Sequence, residues 1–161
     1  MANQPGVGAT APDFTLPSTQ GEIQLSKLLA KGAVLLVFYP GDDTPVCTKQ
    51  LCNYRDNLAA FADLGVQVVA LNPQSEASHE KFASKHALPF PVAADAGGAV
   101  CKRYGAAGLF GMTKRALVLV GRDGRVQWRK TDFPLFYESA DEIRAAISKR
   151  SAQRAAGERS P

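Results

Sequence analysis

The stretch AVLLVFYPGDDTPVCTKQLC (Ala33–Cys52) opens on an unbroken apolar run and closes on two cysteines five residues apart. Ala33–Tyr39 is short, rich in aliphatic residues and bounded by Gly32 and Pro40, the pattern of a strand buried on both faces. From Val46 the period changes. Leu51, Tyr54, Leu58, Phe61 and Leu64 fall three and four residues apart, which predicts one helix over 46–64, ended by Gly65. Cys47 then lies in the first turn of that helix.

The same reading extends in both directions. Upstream, APDFTLPSTQGEIQL predicts a short β-hairpin or extended lead-in, and then a brief helix capped by Ser26 and stopped before Gly32. Downstream, VQVVAL (66–71) is a second interior strand, and Ser75–His86 is a helix with acidic residues early and Lys85 late, as the helix dipole favours. PFPVAAD contains a third strand, and Ala99–Tyr104 is a short helix closed by Gly105. ALVLV (116–120) and VQWRK (126–130) flank an Asp123-Gly124 turn and should form an antiparallel hairpin. Ser139–Lys149 is the last helix. The order is that of an α/β domain over residues 1–150 with a central mixed sheet, helices at its sides and an N-terminal hairpin extension. Residues 151–161 read as a polar tail, frayed and flexible. The reactive end of such a sheet lies beyond the carboxyl ends of its strands, where Tyr39-Pro40 and Cys47 fall.

Composition sets limits on function. The chain has 161 residues, of which 45% are hydrophobic and 21% charged, so it supports one domain with a core. No run approaches the roughly 20 apolar residues of a membrane span, which argues against a membrane partner. The formal charge of +4 is concentrated partly in the tail, without the basic, aromatic-interleaved stripe expected of a nucleic-acid binder. MANQPGVGATAPDF lacks a basic segment followed by an apolar core, which predicts a cytoplasmic protein whose three cysteines are chemical rather than structural.

A cysteine in the first turn of a helix meets unsatisfied N–H groups and the positive end of the dipole, which favour a thiolate. Five residues of regular helix separate two Cα atoms by roughly 8.7 Å, beyond the roughly 7 Å reach of a disulfide. A bond between Cys47 and Cys52 therefore requires the first turns to unwind, and the spacing predicts a redox cycle coupled to local unfolding. Three other readings stand beside it. A disulfide exchanger would carry C-x-x-C. A zinc site would need Cys101, His79 or His86 to supply its second pair. Two small buried cysteines would need no chemistry at all.

FYPGDDTPVCTKQLC resembles the active-site signature of the peroxiredoxins, Pro-x-x-x-Thr-x-x-Cys, realised as Pro40, Thr44 and Cys47. The cysteine five residues later is similar to that of the PrxQ subfamily, the bacterioferritin comigratory proteins. VGATAPDFTL, LCNYRDN, HALPFPVAAD, RYGA and the Arg115 before ALVLVGRDG resemble family segments as well, over roughly residues 6–150. ALNPQS differs from the Gly-Ile/Val-Ser found at that place in many members.

The resemblance implies a thioredoxin-like fold and a thiol peroxidase, with no metal, haem, flavin or other cofactor. Cys47 would be the peroxidatic cysteine and Cys52 the resolving one. Thr44 and Arg115 would hold the thiolate and polarise the peroxide, and Pro40 would shield the site. The substrate would be hydrogen peroxide or an organic hydroperoxide, and the reductant thioredoxin or a similar dithiol, acting on a monomer or a dimer. Two alternatives remain open: a peroxidase resolved by Cys101 or an outside thiol, and a redox-switched binding protein. Cys101, beside Lys102 and Arg103, reads either as a half-buried free thiol or as a third redox thiol. Gly105, Gly108 and Gly111 read as a flexible loop rather than a phosphate cradle, and Trp128 as a packing residue. His79 and His86 read as solvated or lightly packed, while Phe110 and Met112 either line the substrate entrance or fill a loop.

Overall fold

The structure, a computed structural model, describes residues 4–108, 112–132 and 137–158, with the backbone alone at 132 and 151–158. Gly111 and Phe110 lie outside the described residues. The apolar runs become the strands of a five-stranded sheet: β3 (Ala33–Phe38), β4 (Val66–Asn72), β5 (Val92–Ala94), β6 (Arg115–Val120) and β7 (Val126–Asp132). Their order is β5-β4-β3-β6-β7. β3 and β4 are parallel, as are β4 and β5, whereas β6 runs antiparallel to β3 and to β7. The expected mixed sheet is present. So is the N-terminal hairpin, which pairs β1 (Thr15–Leu16) with β2 (Ile23–Gln24).

Side chains alternate across the sheet, so each strand feeds two cores. Leu35, Val37, Val68, Ala70, Leu117 and Leu119 face one way and pack with Cys47, Leu51, Tyr54, Phe82 and Ile143. Val34, Leu36, Phe38, Val69, Val118 and Val120 face the other way, with Leu25, Leu29, Val100 and Cys101. The first core is covered by α2 (Pro45–Asp56), α3 (Leu58–Asp63), α4 (Glu76–Lys85) and α6 (Ala140–Glu158), and the second by α1 (Leu25–Leu29) and α5 (Ala99–Arg103).

Three boundaries depart from the sequence reading. The helix expected over 46–64 breaks at Asn57, which has φ −117° and ψ 15°. Asn57 Nδ2 donates to the carbonyl of Asn53 at 2.8 Å, and its own N–H shifts to the Tyr54 carbonyl. A short polar side chain competing for backbone groups ends α2 in this way. Leu64, expected on the apolar face, is exposed. Ser26 lies inside α1 instead of capping it; the capping oxygen is Asp13 Oδ1, which accepts from the N–H groups of both Ser26 and Phe14. Finally, α6 runs on past Lys149 to Glu158.

The start of α6 is tied to α2. Asn53 Oδ1 accepts the Ala140 N–H at 2.8 Å, and Ser139 Oγ accepts that of Glu142. Replacing Asn53 by Ala leaves the Ala140 N–H, on a residue 1% exposed, without its partner. We expect Asn53→Ala to lower stability by about 1–2 kcal/mol in urea unfolding. An unchanged midpoint would show that water replaces the cap.

Candidate active site

Cys47 lies in the first turn of α2, after Thr44 at the N-cap position and Pro45 at the first helical position. Proline suits that position because its fixed φ is helical and it has no N–H to leave unpaired. The Cys47 side chain is turned to the sheet and fully buried.

What meets it there follows from topology. Because β6 is antiparallel to β3, with Phe38 opposite Ala116, the first residue of β6 lies at the carboxyl end of β3. That residue is Arg115, and alternation places it on the same face as Leu117, toward α2. It is 1% exposed, and its Nη2 donates to Cys47 Sγ at 3.2 Å. Its Nη1 donates to Gln50 Oε1, one turn along α2 from Cys47. Gln50 Nε2 donates to Tyr54 Oη, which donates to the carbonyl of Glu138 just ahead of α6. A buried guanidinium is costly unless its donors are engaged, and here α2 supplies an acceptor to each of its two terminal nitrogens.

Pro40 and Thr44 border an open depression of about 390 Å³, together with Gly41, Asp42, Pro73, Gln74, Met112 and Thr113. The Thr44 hydroxyl does not cap α2; it donates to the Gly41 carbonyl at 3.0 Å and so shapes the loop. Met112 is exposed at this mouth. The structure thus brings Arg115 to Cys47, whereas Pro40 and Thr44 line the depression ahead of α2, with the Thr44 hydroxyl, expected to hold the thiolate, turned to Gly41 instead. Cys52 is on the same unbroken helix, half-buried, with its thiol free like those of Cys47 and Cys101.

Cys101 is elsewhere. It packs in the core on the opposite face of the sheet. Its N–H donates to Asp95 Oδ2 at 2.8 Å, and burial, with the Asp95 carboxylate second, pushes its thiol far above the usual range. Among the described residues, no three His, Cys, Asp or Glu side chains converge as a metal site.

Two groups were missed by sequence reasoning. Gln50, between the two cysteines in the chain, was not singled out, yet it is fully buried against Arg115. His79, read as solvated or lightly packed, is fully buried, with Nδ1 2.7 Å from Asp42 Oδ2. Asp42 Oδ1 accepts from Tyr39 Oη at 2.5 Å, and Oδ2 also accepts from Ser78 Oγ at 2.7 Å. The divergent segment ALNPQS reaches the same loop, because Gln74 Oε1 accepts the Asp42 N–H at 2.6 Å. Trp128, in β7, packs against the core as expected.

Burial alone would raise the Asp42 carboxyl, but hydrogen bonds from His79, Tyr39 and Ser78 outweigh it, and the carboxyl is held below its ordinary value. A carboxyl lowered in the native state stabilises above its unfolded pKa, and that stability is lost as pH falls through the native value. We therefore expect the stability difference between wild type and Asp42→Asn, present at neutral pH, to narrow below about pH 4. Urea unfolding across the acid range would reveal it, and a difference that stays constant would contradict the assignment.

The AhpC/TSA family model matches residues 7–129. The chloroplastic peroxiredoxin Q of Sedum lineare is 41% identical over 123 residues, which is 74% of this chain and 66% of that protein. The putative peroxiredoxin bcp of Coxiella burnetii is 41% identical over 99 residues, 62% of this chain and 66% of its own length. The chain thus spans just under two thirds of these relatives. The crystal structure of peroxidoxin BcpB from Mycobacterium tuberculosis matches with a TM-score of 0.79 at 31% identity, over 92% of this chain and 98% of that one. The thioredoxin-like fold expected from the sequence is the fold of these structural neighbours.

Proposed function

The chain belongs to the AhpC/TSA family, and on that premise we propose that it is a thiol peroxidase of the peroxiredoxin Q kind, in which Cys47 is the peroxidatic cysteine. The observation that carries the proposal is the buried Cys47 sulfur in the first turn of α2, with Arg115 Nη2 3.2 Å away. A guanidinium and a helix N-terminus aimed at one sulfur place positive charge where negative charge grows on a peroxide oxygen as its O–O bond breaks.

In the first step the Cys47 thiolate attacks the terminal oxygen of hydrogen peroxide or an organic hydroperoxide. The S–O bond forms, the O–O bond breaks, and the leaving oxygen takes a proton and departs as water or an alcohol. Cys47 is left as a sulfenic acid. In the second step Cys52 gives up its thiol proton and its sulfur attacks that of Cys47; the S–S bond forms, the S–O bond breaks, and the hydroxyl leaves with that proton as water. α2 must open between the two for this, since intact helix holds their Cα atoms roughly 8.7 Å apart, beyond disulfide reach. A dithiol protein of the thioredoxin type then restores both thiols by exchange and is itself oxidised. Thr44 and Pro40 form the peroxide-facing rim. The position of Cys101 across the sheet, with its thiol held protonated, favours Cys52 as the resolving group. All the residues assigned a role belong to one chain, so the reading requires no second copy. Among the described residues no helix is long and apolar enough to cross a membrane. A compartment that keeps thiols reduced, the cytoplasm first among them, suits this cycle.

Peptide mapping without reduction, after one equivalent of hydrogen peroxide, should find Cys47 linked to Cys52 within one chain. A link to Cys101 would remove Cys52 from its role. With thioredoxin and its reductase, wild type should consume many equivalents of peroxide. Consumption of one equivalent and no more would instead identify a redox switch. Arg115→Met should slow the single-turnover reaction by about 100-fold, whereas Cys52→Ser should leave that first step intact and abolish intramolecular disulfide formation.

A further inference from the structure

The assigned residues divide among three supports, with Arg115 on β6. Cys47 and Gln50 ride on α2, the helix that opens, whereas Pro40 and Thr44 sit in the loop before it. We propose that Asp42 is a positioning residue, and that His79 and Ser78 of α4 clamp its carboxylate so that the loop half of the site keeps its shape while α2 unwinds and refolds. The inference rests on the thiol-peroxidase reading above.

Asp42 lies midway between Pro40 and Thr44, and all of its described bonds run away from α2. One carboxylate oxygen takes the Tyr39 hydroxyl, at the end of β3, and the other takes Ser78 Oγ and His79 Nδ1. Its N–H is held by Gln74, whose Oε1 also accepts from Asn72 Nδ2 at 3.1 Å and whose N–H donates to Asn72 Oδ1. Asn72 is fully buried. The next residue, Asp43, has φ +60°, a left-handed conformation uncommon for non-glycine residues and best tolerated by Asn and Asp. Its carboxylate meets Lys85 Nζ at 3.3 Å and lies 3.6 Å from His86 Nε2.

The His79 and Asp42 side chains are 1% and 3% exposed. The His79 Nε2 is buried without a hydrogen-bond partner, so the imidazole directs its hydrogen bonding to Asp42 alone. A carboxylate can only accept, so Nδ1 carries the proton. Burying such a pair costs more than a pair of apolar side chains would. The cost is understandable if the pair fixes geometry: a misplacement of about 1 Å at a reacting centre lowers the rate by about 100-fold.

The test is the single-turnover rate of the reduced full chain with hydrogen peroxide, measured well below the unfolding temperature of each variant. His79→Phe keeps the ring and removes the donor, and should react about tenfold to 100-fold more slowly. His79→Asn puts an amide N–H near the place of Nδ1 and should recover most of the wild-type rate. A His79→Phe protein that reacts like wild type, or a His79→Asn protein as slow as His79→Phe, would overturn the proposal. If His79→Phe does not fold, Ser78→Ala and Tyr39→Phe each remove one donor to the same carboxylate. Both should then be slower than wild type, and wild-type rates in both would overturn the proposal. A wild-type protein that does not consume peroxide overturns the peroxidase reading itself and this one with it. An active wild type with unaffected variants overturns this one alone.

Discussion

A guanidinium and a sulfur, both buried, meet at 3.2 Å between the sheet and the helix that covers it, and much of the molecule is arranged around that meeting. Arg115 can be so deeply placed because β6 is an interior strand, lying between β3 and β7. It reaches Cys47 because β6 runs antiparallel to β3, so that its first residue falls where β3 ends. A parallel β6 would have put its last residue there instead. A charge this far from water is an unfavourable core residue taken alone. It is held by two groups one turn apart on α2, and the link continues through Gln50 and Tyr54 to the backbone ahead of α6.

The arrangement also ties the chemistry to folding. Gln50 lies between Cys47 and Cys52 in the chain, so unwinding that brings the two sulfurs together takes away the amide that orients Arg115. Tyr54 and Asn53 lie just beyond Cys52 and are fastened to the start of α6. The tie to α6 therefore holds the part of α2 beyond Cys52. On the proposed cycle, the helix that holds Cys47 beside Arg115 would have to open for the Cys52 sulfur to arrive, so assembled site and disulfide would be mutually exclusive states.

Much of this was legible in the chain. The apolar runs became strands, the Asp123-Gly124 turn joined β6 to β7 with Gly124 at φ +78°, and Cys47 fell at a helix N-terminus, because each signal is local. Arg115 was different. Taken alone it read as a surface charge ahead of a strand, and its place was suggested by family resemblance; the physical reason, strand direction and register, is a property of the sheet. Asp42 and His79 meet across 37 positions, and Gln50 and Arg115 across 65, so neither pair leaves a periodic trace. The break at Asn57 was missed because the apolar face continues through it. Asp13 was missed as the cap of α1 because it acts from 13 residues away.

The alternation of side chains across the sheet gives the third thiol a setting of its own. Cys101 and Cys47 belong to different cores, with the paired backbones of five strands between them. The sheet is a bulkhead. The strands separate the two thiols within the core, although Cys101 also borders a surface depression that shares Pro73, Met112 and Thr113 with the one at Pro40 and Thr44. On the proposed cycle, oxidation begins at Cys47 in one core while Cys101 is packed in the other.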